Sequence, residues 1–76
     1  MQSVQISINT VEKVKSFVND ITKFEYDFDL VSGRFVVDAK SIMGIFSLDL
    51  GKPIWLNINT EENTDAVMNV LSTYMV

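Results

Sequence analysis

The chain has 76 residues, no cysteine, no histidine and a formal charge of −4. This length suits one domain, residues 1–76, and the composition excludes disulfides, thiolate or histidine metal sites and Ser-His-Asp catalysis. Apolar residues make up 47%, too many for a disordered chain, while six scattered Lys and Arg give no basic stripe for direct nucleic-acid binding.

Met1-Gln2-Ser3 leads straight into a strand-like segment, without a basic flank or an apolar signal core. No apolar run approaches the roughly 18 residues of a spanning helix. A cytoplasmic protein with no membrane partner is expected.

Val4, Ile6 and Ile8 alternate with Gln5 and Ser7, the period of a strand buried on one face. Asn9, with Glu12 three residues on, resembles a capping box. Val11, Val14, Phe17, Val18 and Ile21 then recur at helical steps, predicting an amphipathic helix over Thr10 to Thr22. The period returns to two at Phe24, Tyr26, Phe28 and Leu30, interleaved with Glu25, Asp27 and Asp29. Ser32-Gly33 supplies a turn, and Phe35-Val36-Val37 reads as the returning arm of a hairpin. The three alternating carboxylates suit a solvated face better than a cation site.

Ser41 opens a short helix as its N-cap, with Ile45 and Leu48 directed to the core. Ile42, Met43, Ile45 and Phe46 cannot all face inward from about two turns. An exposed docking patch of Ile42, Met43 and Phe46 is expected, the alternative being that Met43 and Phe46 are incidental surface. Asp49 to Pro53 breaks the pattern, and Ile54, Leu56 and Ile58 alternate with Trp55, Asn57 and Asn59 in a fourth strand. That alternation puts Trp55 on the open side of the sheet. Thr60-Glu61-Glu62 suits the acidic first turn of a last helix, which buries Ala66, Val67, Val70, Leu71 and Tyr74 and runs nearly to the C-terminus. The order β-α-β-β-α-β-α predicts an α+β fold. It is an open-faced two-layer sandwich, with helices on one face of a four-stranded antiparallel sheet.

The stretch from Val37 to Leu48, with Lys40-Ser41-Ile42-Met43-Gly44-Ile45-Phe46-Ser47-Leu48 at its centre, closely resembles the HPr family of phosphocarriers in the bacterial sugar phosphotransferase system. The order of elements agrees along nearly the whole chain. The family's carrier motif, Gly-x-His-Ala-Arg-Pro-Ala, falls on Ile8-Asn9-Thr10-Val11-Glu12-Lys13-Val14. Thr10 stands about where the phosphohistidine would be, Glu12 where the arginine would be and Lys13 at the proline. A threonine hydroxyl gives a stable phosphate ester in place of a labile phosphoramidate, and Glu12 repels the phosphate that an arginine would grip. No catalytic site, cofactor or metal is expected.

The resemblance carries a further implication for Ser41, whose family equivalent is phosphorylated in some bacteria by an HPr kinase. It implies a regulatory module, related to catabolite-repression members of the family, that binds a transcription regulator or metabolic enzyme. Lys40, Ile42, Met43 and Phe46 would face that partner. A monomer or weak dimer is expected. The alternatives are a phosphocarrier with an atypical site and a small metabolite-binding α+β module.

Overall fold

The computed structural model describes residues 2–62 and 64–76. Its elements are β1 (Gln2–Ile6), α1 (Val11–Ile21), β2 (Asp27–Ser32), β3 (Phe35–Asp38), α2 (Ile42–Phe46), β4 (Ile54–Asn59) and α3 (Thr64–Leu71). The order is the one the periodicities predict. The strands form one antiparallel sheet in the order β1-β4-β2-β3, so the last strand slots between the first and the hairpin.

The register separates two faces. Ile6, Phe28, Leu30, Ile54, Leu56 and Ile58 point to one side and are buried. Helix α1 lays Val14, Phe17 and Ile21 over them, and α3 adds Val67 and Leu71. Each such side chain contributes about 1.5–3 kcal/mol through burial, which is what holds a chain with no disulfide together. The opposite face is polar in rows that follow the pairing. Ser3 donates to Asn57 Oδ1 at 2.7 Å, and Asn59 Nδ2 donates to Asp29 Oδ2 at 3.0 Å.

The β2–β3 hairpin closes through Gly33-Arg34, with Ser32 opposite Phe35. Gly33 adopts φ +59°, the left-handed value shared by both primed hairpin turns. Nothing lies within 4 Å of the position its Cβ would take, so an added methyl meets only backbone strain. Gly33→Ala is expected to lower stability by about 1–2 kcal/mol, read as a lower urea midpoint at unchanged slope.

Four local expectations need correction. Phe24 and Tyr26 precede β2; they lie half-buried in the connection, their rings stacked at 6.3 Å, so the alternation began before the strand did. Thr10, and not Asn9, caps α1. Helix α3 starts at Thr64, because the Thr60 hydroxyl accepts from Glu62 N at 2.9 Å and forms a local turn. Its buried stripe is Val67, Leu71 and, beyond the helix, Tyr74; Ala66 is exposed and Val70 only half-buried.

After α3 the chain runs back along the outer edge of β1. Ser7 N donates to Tyr74 O at 2.8 Å, Val76 N donates to Gln5 O at 3.1 Å, and Met75 pairs with Ile6. This covers one end of an edge that would otherwise present unpaired amides. Tyr74 pins the segment to α1: its hydroxyl donates to Asp20 Oδ2 at 2.7 Å and lies 2.8 Å from Ser16 Oγ. With its one proton directed at Asp20, the phenol accepts from Ser16.

Burial and the Asp20 carboxylate push the Tyr74 phenol above its ordinary pKa of 10.0, and the Ser16 hydrogen bond opposes them. The folded form holds this proton more tightly than the unfolded chain. The associated stability is therefore intact below pH 10 and is lost as pH rises through the folded value. Tyr74→Phe is expected to lose about 1–2 kcal/mol near neutral pH and to show a shallower alkaline decline. Urea melts of both proteins, near neutrality and at about pH 10.5, measure that difference while the lysine contribution cancels.

Candidate functional site

Two helix starts carry the residues that the sequence singled out. At α1, Thr10 is extended at φ −132° and ψ 157°, and its Oγ1 accepts from Lys13 N at 3.1 Å. Serving as a cap needs only a short hydroxyl side chain, so Thr10 satisfies the helix without further chemistry. Glu12 sits exposed in the first turn, where a carboxylate favours the positive end of the helix dipole. Lys13 turns back to Asn9 Oδ1 at 3.4 Å. This end therefore presents an acid, a hydroxyl engaged as acceptor, a lysine ammonium and no imidazole.

At α2, Ser41 has φ −95° and ψ 103°, and its Oγ accepts from Gly44 N at 3.3 Å. Its carbonyl accepts from Ile45 N at 3.0 Å, beginning the helix. The hydroxyl is exposed, reachable by another protein. Gly44 lets α2 approach the hairpin: a Cβ there would lie 3.3 Å from Ser41 Oγ and 3.4 Å from Val37 Cβ. The glycine thus fits both the cap and the helix–strand contact.

The neighbouring residues divide into held and free. Lys40 Nζ donates to Phe24 O at 2.7 Å and stands 5.6 Å from the Phe28 ring centroid, so its charge ties the connection before β2 to the start of α2. Ile42 is half-buried against the core, and Ile45 and Leu48 are buried. Met43 is 78% exposed and Phe46 43%, two large apolar side chains that one short helix leaves at the surface. Helices α1 and α2 are in contact with each other. Trp55 lies half-exposed on the open sheet face, as its phase predicts.

Glu25 and Asp27 are exposed and Asp29 half-buried; among the described residues no group of acids is spaced to hold a metal ion. No described helix is long and apolar enough to cross a membrane. Sequence reasoning missed the Ser16–Tyr74–Asp20 link and a cleft at the hairpin tip, both assembled from distant segments. Spacing carries no signal for either.

Helices on one face of a β1-β4-β2-β3 sheet, with a short capped helix between the hairpin and the last strand, define an HPr-type open-faced sandwich. The chain is similar to the crystal structure of HPr-C-His from Thermoanaerobacter tengcongensis, with a TM-score of 0.80 and 26% identity over 97% of this chain and 91% of that one. It is also similar to the phosphocarrier protein HPr from Bacillus anthracis strain Ames, with a TM-score of 0.77 and 25% identity over 97% and 94%. The chain therefore shares the HPr fold and is similar in sequence to these phosphocarrier proteins along nearly its whole length. No family model matches it, and no curated protein sequence matches it significantly.

Proposed function

We propose that this protein is a regulatory member of the phosphotransferase system that binds other proteins through the α1–α2 surface and does not relay phosphate. The observation that carries the reading is an HPr-type fold whose 76 residues include no histidine. Relay between proteins needs a nucleophile whose phosphorylated form readily gives the group up. A hydroxyl at Thr10 offers only a stable ester.

Ser41 is the residue at which the module would be switched. Its exposed hydroxyl begins α2, within the Lys40-Ser41-Ile42-Met43-Gly44 run that resembles the family's regulatory site. A phosphate there adds close to two negative charges beside the exposed Met43 and Phe46, changing both the charge and the hydration of the docking patch. Lys40 would contribute mainly by fixing the start of the helix, since its ammonium is already engaged.

The reading is tested with ATP and an HPr kinase acting on the intact protein, followed by mass measurement. One phosphate that survives acid is expected, and Ser41→Ala is expected to remove it. No phosphate, or phosphate retained by Ser41→Ala, contradicts the assignment. Met43→Asp and Phe46→Asp are expected to weaken capture of a regulator or enzyme at least about tenfold, with the melting temperature nearly unchanged. Titration by calorimetry measures the first quantity and a thermal melt the second.

A further inference from the structure

The hairpin tip and the α2–β4 connection enclose an open cleft of about 640 Å³. This volume falls within the usual range for small-molecule sites. Phe35 and Arg34 come from the hairpin, Lys52 from the connection and Trp55 from β4, so three separate segments converge. Gly33 contributes no side chain to block it, with open space where its Cβ would stand.

The charges in this cleft run against those of the protein as a whole. The chain carries −4, yet two of its six cationic residues line this one depression. No described residue forms an ion pair or hydrogen bond with either Arg34 or Lys52. In contrast, Lys13 and Lys40 both have polar partners. The one carboxylate in the lining, Asp49, accepts from Gly51 N at 3.1 Å and so has part of its acceptor capacity occupied. The aromatic rings are just as available: Phe35 is 68% exposed and Trp55 50%.

We infer that this cleft binds a small planar aromatic compound bearing a phosphate, of the nucleoside monophosphate kind. An arginine fork and a lysine point charge together suit a phosphate dianion, and exposed aromatic rings offer stacking surface to a flat base. The body and the charge of such a ligand each find a matching part of the lining. This inference is independent of Ser41, which lies outside the cleft.

Trp55 is the chain's only tryptophan, so its fluorescence reports on this cleft directly. Titration with adenosine monophosphate is expected to change that fluorescence saturably, with a dissociation constant on the order of 1 mM or tighter. Adenosine and inorganic phosphate, titrated separately, are each expected to bind about tenfold more weakly. Arg34→Ala and Lys52→Ala are each expected to weaken the nucleotide by about 3- to 10-fold, while thermal melts stay unchanged because both side chains are exposed. No saturable change with adenosine monophosphate overturns the inference. So does equal affinity for adenosine, or undiminished affinity in the Arg34→Ala/Lys52→Ala double variant.

Discussion

Phe17→Ala is expected to leave the protein at the margin of folding. Phe17 is fully buried at the centre of α1, and its ring meets Tyr74 edge-on at 5.5 Å with an interplanar angle of 84°. Truncation removes the transfer energy of the ring and leaves a cavity, together about 3–5 kcal/mol. A chain of 76 residues has a total stability of about 4–11 kcal/mol at ordinary values per residue. The substitution therefore removes a large part of the stability, and at the low end of the range all of it.

It also withdraws the contact that seats Tyr74, so the segment covering the edge of β1 should loosen with the core. Urea denaturation is expected to show a midpoint lowered by the equivalent of about 3–5 kcal/mol, and thermal unfolding a drop of at least about 12 °C. Phe17→Leu, which fills much of the space, should lose under half as much. A change below about 1 kcal/mol for Phe17→Ala would mean that α1 does not pack on the sheet through this ring.

The elements of this fold are legible in the sequence because each buries one face and so imposes one period. Ile54, Leu56 and Ile58 could only be a half-buried strand, and Val14, Phe17 and Ile21 only a helical stripe. Boundaries were less legible where a side chain competes with the backbone. Thr60 looked like the start of α3, but its hydroxyl closes a turn of its own with Glu62 N. Phe24 and Tyr26 kept the alternation of β2 while lying outside it, because packing on the core rewards apolar residues in a connection as it does in a strand.

The candidate surface divides in the same way. Ser41 is visible as a helix cap, since capping is a local interaction with a local signature, whereas at α1 the same signature points to Asn9, one residue before the cap at Thr10. The inward engagement of Lys40 was not visible, because its acceptor, the carbonyl of Phe24, becomes a neighbour only when the hairpin folds back. The pairing of Arg34 with Lys52 at one cleft is hidden for the same reason. Charge sign and residue type can be read along a chain, but convergence of segments cannot.

The proposed absence of phosphate relay rests on the start of α1. In the carrier motif an imidazole takes up phosphate and an arginine steadies it. The positions that would correspond under the proposed reading hold a capping threonine and an exposed glutamate. The threonine hydroxyl already accepts the Lys13 amide, and without a histidine anywhere in the chain no neutral imidazole can activate it. A glutamate in the first turn stabilises the helix while repelling an approaching phosphoenzyme. Both effects act in the same direction, against transfer.

Exposure of the purified protein to phosphoenolpyruvate and enzyme I, beside a histidine-bearing HPr, tests this most directly. The histidine-bearing protein is expected to gain an acid-labile phosphate, and this chain to gain none even at long times. Acid-labile phosphate appearing on this chain, and passing from it to a sugar permease, would contradict the account.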